Sequence, residues 1–505
     1  MHLVQLMDSL GLNRGGLTKA VFKRLRMYDA NQFTTTIVVT GIQFNAAAVF
    51  AQLQEQGFIP QRTSLLCLFD DGSAVTPPKN SQELPTWSAR DYAVDEQTKT
   101  GKITRHFNDS GKFIGLEAFN TEGRKLYEEH HSAGRPFEID GRFIFDSLGR
   151  VRHIKHFSSE WKPRYEVVFQ TSGRPIFAAW LNTDGRKYRV TCFSQTNQDA
   201  KIFPNFWSMQ ASLLEEMLST LDSQKFVVFS DEPMTASILG SFKNSKQATG
   251  VAVIHTTHFI GSGQESPRRL KSWFNNYVLG QGIIDHLVTM TESQLEDIKK
   301  LRQNCTNENS FAIPHAIARP SDPPSTRQHA SKKLLYLGRL DKAKRVDAIL
   351  EGFAIALSKI PDLRLNIVGQ GPEYDSLRKL AQSLGIQEHV HFQGYDSDTS
   401  KWYRESDALV TNSEFEGFGL TIIEAFSFGC PSIASPTLYG PAEFVIHNHN
   451  GLVCEPNGLG IGKAIIDFYS DPKLISKLSA GALDSSMDFP QAKWEKSWLD
   501  LVHNI

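Results

Sequence analysis

Between Ser331 and Ser470, short apolar runs alternate with longer stretches of helical period, and this alternation constrains the fold more than any other feature of the sequence. Five runs have the length and composition of buried strands, namely KKLLYLG, LRLNIVG, HVHFQG, ALVTN and PSIAS. Helical stretches such as RVDAILEGFAIALSK and GLTIIEAFSFG lie between them. Strands that alternate with helices form a parallel sheet covered on both faces. We therefore predict a doubly wound α/β domain over residues 318–480.

The N-terminal part has the same alternation in two pieces. Candidate strands HLVQLM, TTIVVT and SLLCLF precede a break, and KFVVFS, GVAVIH and HLVTM follow it. We predict a second Rossmann-like domain, built from residues 1–71 and 204–317, that faces the first across a cleft. Residues 481–505 contain KWEKSWLDLV and are predicted to form a helix that crosses back to the N-terminal domain.

The break, residues 72–203, has a different pattern. Aromatic and β-branched runs are separated by FNDSGK, FNTEGR, FDSLGR, FQTSGR and LNTDGR, which predict hairpin turns at Gly111, Gly123, Gly149, Gly173 and Gly185. These turns indicate an antiparallel meander inserted into the N-terminal domain. They are too few and too unevenly spaced for a propeller or a solenoid. Residues 72–98, which include three prolines, are predicted to form a loop leading into the meander.

The charge balance excludes some classes of partner. Lys plus Arg number 54 and Asp plus Glu number 55, so the net charge of −1 gives no overall attraction to nucleic acid or to a membrane surface.

No stretch approaches the roughly 20 apolar residues of a transmembrane helix, and the N-terminus lacks a signal-peptide pattern. The five cysteines are far apart and lack zinc-site spacing, as is typical of reduced thiols. We expect a cytoplasmic protein.

Ligands of open α/β sheets bind beyond the carboxyl ends of the strands, so the loops after LLYLG, LNIVG, HFQG and ALVTN should meet at one crevice. The first of these loops places Arg339 and Lys344 near the start of the next helix. Two cations and the free N–H groups of a helix N-terminus are suited to a diphosphate. By spacing alone, the same residues fit a solvated basic loop as well.

The loop after ALVTN carries two acids. Glu416 and Glu424 stand eight residues apart, about two helical turns, with a Gly-x-Gly between them. The glycines let backbone amides approach an anion at the helix N-terminus, so one acid can contact a sugar and the other the ribose hydroxyls. Glutamates at this spacing are otherwise typical of an exposed helix face. The positions that would line such a site are Gly417, Phe418, Gly419, Leu420 and Thr421.

The E-x7-E pattern of EGFGLTIIE, together with the upstream GR…K, resembles the retaining family 4 glycosyltransferases of GT-B fold. The resemblance covers the C-terminal domain. It implies that Arg339 and Lys344 bind the diphosphate of a nucleotide-sugar donor and stabilise the leaving nucleotide. Glu416 would contact the transferred sugar, Glu424 the ribose, and the amides of residues 417–420 the phosphates and sugar. Cations then take the role of a metal, so neither a metal nor another cofactor is expected.

The same resemblance assigns positions around the nucleoside. Gly369 and Gly371 in VGQGPE, with Tyr395 in HFQGY, stand where this family holds the base. Tyr395 also fits a core aromatic residue. In the first domain, Gly15 and Gly16 would form the glycine loop that faces the donor, or only a helix start.

Two histidines follow the strand GVAVIH. His255 has the position of the histidine that related enzymes place next to the reacting sugar, and His258 is a second candidate. Their HxxH spacing, without a third acidic ligand, is weak evidence for a metal site. Asp396-Ser397-Asp398 has the DxD form of a metal motif, but its position at the start of a helix favours a helix cap. No metal ligand is predicted.

The glycine loop, the long insertion and the HxxH pattern together resemble the α-glycosyltransferases that decorate wall teichoic acid. The resemblance implies transfer of glucose or N-acetylglucosamine from a UDP-sugar to a hydroxyl of poly(ribitol-phosphate) or poly(glycerol-phosphate). The same architecture occurs in enzymes that start O-GlcNAc addition on serine-rich adhesins, so a protein acceptor stays open. A catalytically inactive binding subunit, a sugar phosphorylase and a nucleotide-sugar epimerase are further alternatives.

The inserted domain is more basic than the rest of the chain. Residues 99–190 contain 17 Lys plus Arg and 11 Asp plus Glu, which suits an anionic polymer as acceptor. We expect a basic surface at Arg142, Arg150, Arg152 and Lys155. The sequence does not determine whether these four side chains lie on the same face of the sheet. The meander should leave an open edge, and teichoic acid enzymes form trimers through this domain, so a homotrimer is one expectation. The donor sugar, the acceptor and the oligomeric state stay open.

Overall fold

The computed structural model describes most of the chain. The described residues are 1–12, 16–69, 92–132, 135–193, 199–240, 247–260, 269–271, 274, 284–302, 305–306, 308–320, 322, 326–327 and 330–505. By packing, residues 1–251 and 282–285 form one unit, and residues 252–281 with 286–505 form a second. The finer domain boundaries predicted from the sequence remain predictions.

The N-terminal strands and helices alternate as predicted. The first piece contains β1 (His2–Met7), α1 (Gly16–Ala30), β2 (Thr34–Val39), α2 (Ala46–Glu55) and β3 (Ser64–Cys67). The second piece contains α3 (Phe206–Ser219), β14 (Phe226–Ser230), α4 (Pro233–Leu239), β15 (Ala248–Ile254), β16 (His286–Thr289), α5 (Glu292–Leu301) and β17 (Ser310–Ala312). Their strands form one sheet in the order β17-β16-β15-β14-β1-β2-β3. All six residues of β1 are buried, as expected for a parallel strand covered on both faces.

The inserted segment is an antiparallel meander, which confirms the prediction. Its strands are β4 (Tyr92–Thr98), β5 (Gly101–Phe107), β6 (Phe113–Asn120), β7 (Lys125–Ser132), β8 (Arg135–Phe145), β9 (Val151–Phe157), β10 (Pro163–Phe169), β11 (Pro175–Leu181), β12 (Lys187–Phe193) and β13 (Ala200–Asn205). They pair in sequence order as one ten-stranded sheet with β4 and β13 at its edges.

All five predicted turn glycines have the backbone that glycine favours. Their φ angles lie between 75° and 81°, in the left-handed region. At the first turn, the amide of Gly111 donates to the carbonyl of Asn108, and the Asn108 side chain accepts from the amides of Ser110 and Lys112. The Asn side chain and the glycine together set the turn, which is why the sequence signal was reliable here.

A sixth hairpin turn, Ser158–Lys162, was missed because it has no glycine. Trp161 takes the left-handed position, with φ of 62°, and its amide donates to the carbonyl of Ser158. With this turn included, Gly149, Trp161, Gly173 and Gly185 recur every 12 residues. The expectation of uneven spacing was therefore wrong for this part of the meander, although the strands still form one open sheet.

The loop predicted over residues 72–98 is also corrected at its end. Residues 92–98 form β4, which pairs with β5 from Tyr92 opposite Phe107 to Thr98 opposite Gly101. Residues 70–91 lie outside the described part of the chain. The strand was missed because YAVDEQT carries too few apolar residues for a buried strand, and β4 is an edge strand whose described side chains are mostly exposed.

The C-terminal part contains the five predicted strands and one more. It comprises β18 (Lys333–Leu337), a 3₁₀ turn (Lys342–Lys344), α6 (Val346–Leu357), β19 (Arg364–Val368), α7 (Tyr374–Ser383), β20 (Val390–Gly394), α8 (Ser400–Glu405), β21 (Ala408–Thr411), α9 (Leu420–Ser427), β22 (Ser432–Ala434), α10 (Pro441–Phe444), β23 (Gly451–Val453), α11 (Gly458–Ser470), α12 (Pro472–Ser486) and α13 (Gln491–Asn504). The sheet order is β20-β19-β18-β21-β22-β23, the doubly wound order 3-2-1-4-5-6.

Packing of this second unit follows the predicted pattern. Leu334, Leu365 and Ile367 on the strands pack against Ile349 and Phe353 of α6, and all five are fully buried. None of the five cysteines forms a disulfide in the described part of the chain. In the described part of the chain, no helix is long and apolar enough to cross a membrane.

The four residues predicted to form a basic surface on the inserted sheet do not share one face, so that prediction was wrong. Arg142 lies opposite Lys155 in the β8–β9 register, whereas Arg152 lies three residues from Lys155 and therefore on the other face. Arg152 is only 1% exposed. Its Nε donates to the carbonyl of Phe169 at 2.9 Å, and its guanidinium lies over the ring of Phe44.

Two other members of that predicted surface are held in ion pairs. Arg150 contacts Asp146 at 2.8 Å, and Arg142 donates to Glu129 at 2.6 Å. Three of the four residues predicted for the basic surface are therefore buried or paired with an acid, so they do not form the exposed cationic patch that was expected.

We predict that Arg152→Met lowers the free energy of unfolding by roughly 3 kcal/mol, because the buried Phe169 carbonyl and Asp146 carboxylate lose a buried charged donor. Arg150→Met is the matched control, since its side chain contacts the same carboxylate but is more exposed, and it should cost less. Urea unfolding followed by tryptophan fluorescence measures both. Equal losses in the two variants would contradict the buried role of Arg152.

Candidate active site

The strand order brings two loops together at the centre of the C-terminal sheet. The chain leaves β18 toward β19 on one side and returns to β21 on the other, so the crevice beyond the carboxyl ends of β18 and β21 is the switch point where ligands bind in such sheets. The two loops are joined there by a hydrogen bond from the amide of Glu414 to the carbonyl of Ala343, at 2.7 Å. This junction carries most of the residues selected from the sequence.

Lys344 and Glu416 form an ion pair across the junction. Lys344 Nζ lies 2.5 Å from Glu416 Oε1, and both side chains are about one-fifth exposed. Ser413 Oγ donates to the same carboxylate oxygen at 2.7 Å. One oxygen of Glu416 is thus held by two donors, which orients the carboxylate at the mouth of the crevice.

Arg339 extends from the first loop into solvent. Its side chain is 79% exposed and contacts Asp341 at 2.8 Å. The hydroxyl of the buried Tyr336 donates to the carbonyl of Arg339 at 2.8 Å and so fixes the backbone beneath it. Burial raises the pKa of Tyr336, with Glu416 and Asp341 adding to the rise, so the hydroxyl stays a donor.

Gly369 and Gly371 let the neighbouring loop approach closely. A Cβ at Gly369 would lie 1.9 Å from the carbonyl oxygen of Gly338, and one at Gly371 would lie 2.2 Å from that of Leu340. The amide of Leu340 also donates to the carbonyl of Gln370 at 2.9 Å. The two glycines therefore serve the packing of the loops, and their predicted contact with the base stays a prediction.

Glu424 lies on α9, two turns beyond Glu416. The hydroxyl of Tyr403 donates to Glu424 Oε2 at 2.9 Å. Tyr403 is buried, and burial, with Glu424 adding to it, raises the pKa of this tyrosine well above its usual value. A neutral tyrosine thus fixes one carboxylate oxygen of Glu424, which is itself half-buried.

The glycines of the EGFG segment are required by close contacts. A Cβ at Gly417 would lie 1.9 Å from the carbonyl oxygen of His255. Gly419 has φ of 80° and precedes α9, which begins at Leu420 and Thr421. Phe418 is buried. The segment therefore turns sharply into the helix while its backbone touches the end of β15.

The two predicted histidines lie in different surroundings. His255 is half-buried, and its ring stacks on that of His315 with centroids 5.5 Å apart. The structure thus places His255 beside the EGFG segment. Its contact with the reacting sugar stays a prediction. His258 has no exposed surface and stacks against Phe274 and Tyr439. Contact of His258 with a donor would require this aromatic cluster to open.

The remaining predicted residues are distributed as follows. Tyr395 is 65% exposed, so the alternative of a core aromatic was wrong. Gly16 begins α1 in the first unit, and a Cβ there would meet nothing within 4 Å. Gly15 lies outside the described residues.

The DxD segment forms a local turn at the start of α8. The Lys401 ammonium holds the pKa of Asp396 down at about 2, with hydrogen bonds from Trp402 and the Asp398 amide adding to this. Asp398 accepts from the amide of Ser400, the first residue of α8. Asp398 thus bonds the first amide of α8 as a capping side chain does, although Thr399 stands at the N-cap position and makes no side-chain cap bond.

Part of the chain matches a family model, and the whole chain resembles solved structures. Residues 319–483 match the family model for glycosyl transferases group 1. A crystal structure of a Staphylococcus aureus TarM variant, in complex with fondaparinux, α-GlcNAc-glycerol and UDP, superposes with a TM-score of 0.78 at 21% identity and 99% coverage of both chains. The chain is a glycosyltransferase of the GT-B fold. The pneumococcal O-GlcNAc transferase GtfA shares the fold, with a TM-score of 0.70 at 16% identity, over 100% of this chain and 98% of that one.

Two relatives are similar to this glycosyltransferase over nearly all of its chain. The poly(glycerol-phosphate) alpha-glucosyltransferase of Bacillus subtilis (strain 168) is 22% identical over 96% of this chain and 72% of its own length. The poly(ribitol-phosphate) alpha-N-acetylglucosaminyltransferase of Staphylococcus aureus (strain COL) is 23% identical over 99% of each chain.

Sequence reasoning missed the residues that orient the selected ones in this glycosyltransferase. Ser413 holds Glu416, Asp341 holds Arg339, and Tyr403 holds Glu424. Ser413 and Asp341 stand within three residues of their partners, so proximity could have identified them. Tyr403 lies on another helix, and no local signal connects it with Glu424.

We predict that Gly417→Ala disrupts the site, because its Cβ would collide with the backbone of His255 rather than with a movable side chain. Gly141→Ala in the inserted sheet is the control, since its nearest neighbour would be 3.5 Å away. Titration of UDP, the nucleotide expected from the sequence, should show at least a tenfold loss of affinity for Gly417→Ala only. Equal affinity in both variants would mean that the EGFG segment and His255 do not meet as described.

Proposed function

We propose that this glycosyltransferase moves glucose or N-acetylglucosamine from a UDP-sugar to a hydroxyl of a polyol-phosphate polymer, with retention of the anomeric configuration. The observation that carries the proposal is the Lys344–Glu416 pair beside an exposed Arg339 at the switch point of the sheet. The similarity over 96% and 99% of the chain to two enzymes named for polyol-phosphate acceptors supports the acceptor class.

The donor diphosphate would bind between the two loops. Arg339 presents a guanidinium that can form paired hydrogen bonds with a phosphate, and Lys344 adds a second positive charge. The 3₁₀ turn at Lys342–Lys344 leads directly into the 12-residue helix α6, whose N-terminal dipole favours an anion. As the sugar leaves, these groups offset the charge that grows on the diphosphate.

The two glutamates would contact different parts of the donor, one the transferred sugar and the other the ribose. Ser413 and Lys344 hold one oxygen of Glu416, so the other oxygen is the one to accept from hydroxyls of the transferred sugar. Tyr403 donates to one oxygen of Glu424, and Glu424 is assigned to the ribose. The exposed ring of Tyr395 is assigned to the base.

Retention follows if the acceptor hydroxyl attacks from the face that the diphosphate leaves. The anomeric carbon–oxygen bond to the phosphate breaks, a carbon–oxygen bond to the acceptor forms, and a β-phosphate oxygen takes the hydroxyl proton. His255, whose backbone lies next to Gly417, is assigned to contact the sugar during this exchange. No side chain is assigned as a covalent nucleophile.

Protein cations take the place of a metal in this proposal. In the DxD segment, Asp396 already holds Lys401 and Trp402, so it is committed to structure. A UDP-sugar donor and protein cations together require no cofactor. The cytoplasmic location and the self-association through the inserted sheet remain predictions.

A protein acceptor is the second candidate. The likeness to GtfA extends over all of this chain, and its name describes transfer of N-acetylglucosamine to a peptide in related streptococcal enzymes. The two candidates share the donor site and differ in the acceptor.

The proposal is tested by incubating the protein with UDP-glucose or UDP-N-acetylglucosamine and each of three acceptors: poly(glycerol-phosphate), poly(ribitol-phosphate) and a serine-rich peptide. We expect transfer to at least one polyol-phosphate polymer, with an α-linked product in the anomeric proton spectrum. Transfer to the peptide alone would favour the second candidate, and a β-linked product would contradict retention.

The same assay in excess EDTA tests whether transfer needs a metal ion. The rate should stay within a factor of two, because Arg339 and Lys344 supply the positive charge. Loss of transfer that manganese restores would overturn this part of the proposal.

A further inference from the structure

Lys271 lies beside the EGFG segment but comes from a different stretch of the chain. Its amide donates to the carbonyl of His258 at 2.9 Å. Its Nζ lies 4.8 Å from the ring centroid of Phe415, the residue before Glu416. The contact of His255 with Gly417 joins the same two stretches at a second point. Lys271 is therefore held on the histidine side of this segment.

Lys271 differs from the other cations of the site. Lys344 is paired with Glu416, and Arg339 with Asp341. Among the described residues, no carboxylate lies within ion-pair distance of Lys271. The Phe415 ring attracts the ammonium but leaves its three N–H donors available. A half-buried ammonium without an acid is typical of a position that meets an anionic ligand.

Desolvation by the surrounding protein supports this interpretation. Burial lowers the pKa of Lys271, which means that the charged form is less well solvated than in water. A bound anion replaces the stabilisation of the charged ammonium that water would have supplied. Lys271 therefore contributes more to anion binding than a fully solvated lysine would.

We propose that Lys271 binds a phosphate of the acceptor chain, next to the hydroxyl that receives the sugar, and so selects polyol-phosphate polymers over acceptors without phosphate. This assignment rests on the proposed function. The donor diphosphate already has Arg339 and Lys344 on the loop after β18. Lys271 comes instead from the histidine stretch, where its amide is bonded to His258 and its ammonium lies over the ring of Phe415. In a polyol-phosphate chain every hydroxyl lies a few bonds from a phosphodiester, so one cation beside the transfer point can engage each unit.

The experiment compares Lys271→Gln and Lys271→Arg with the unmodified protein. The quantity measured is the ratio of KM for poly(glycerol-phosphate) to KM for free glycerol, at low and at high salt. Lys271→Gln should raise this ratio roughly tenfold at low salt, because one charge-assisted hydrogen bond to phosphate is lost. The effect should shrink at high salt, and Lys271→Arg should restore most of the discrimination.

A matched control and a second readout separate the possible roles. Lys359→Gln changes an exposed lysine after α6 and should leave the ratio unchanged. UDP affinity, measured by calorimetry, distinguishes the acceptor role from a donor role. A loss of UDP affinity in Lys271→Gln as large as the rise in KM would assign the lysine to the donor diphosphate and overturn the proposal.

The remaining outcomes are equally distinct. An unchanged ratio in Lys271→Gln, with an active unmodified protein, would overturn the assignment of Lys271 and leave the proposed function intact. Failure of the unmodified protein to use any polyol-phosphate polymer would contradict the acceptor class and, with it, this assignment.

Discussion

The ion pair between Lys344 Nζ and Glu416 Oε1, 2.5 Å apart, joins the two loops at the centre of the C-terminal sheet. It exists because the doubly wound order places β18 beside β21, although their loops are far apart in sequence. Glycines at 369, 371 and 417 allow the surrounding backbones to approach within contact distance. The close packing of the two loops thus holds their charged side chains in fixed positions at the centre of the sheet.

Local signals explain which features the sequence predicted. Five apolar runs and five turn glycines were sufficient for the C-terminal sheet and the meander, because burial and left-handed backbone each restrict residue choice. The turn at Trp161 and the strand β4 lack those signals, and both were missed. The selection of Arg339, Lys344, Glu416 and Glu424 came from spacing and family resemblance, but their pairing with one another and with Tyr403 depends on tertiary structure.

Charge counting was least reliable, because composition does not indicate which face a side chain occupies. The inserted sheet has an excess of basic residues, yet Arg152 is buried, and Arg142 and Arg150 are paired with acids. Conversely, Lys271 sits in a chain that is nearly neutral overall and has no acid partner among the described residues. The useful quantity for predicting an anion partner is the charge left unpaired after folding, which requires the structure.

Lys344 is assigned to phosphate and Glu416 to the sugar. These two roles are tested most directly by titrating UDP into Lys344→Ala and Glu416→Gln. In the free protein Glu416 neutralises Lys344, so a diphosphate competes with this carboxylate for the ammonium. Lys344→Ala should weaken UDP binding by roughly tenfold or more, since a charged hydrogen bond is lost. Glu416→Gln should bind UDP at least as tightly as the unmodified protein, because the lysine is released. Equal weakening in both variants would contradict the assignment of Lys344 to phosphate and Glu416 to sugar.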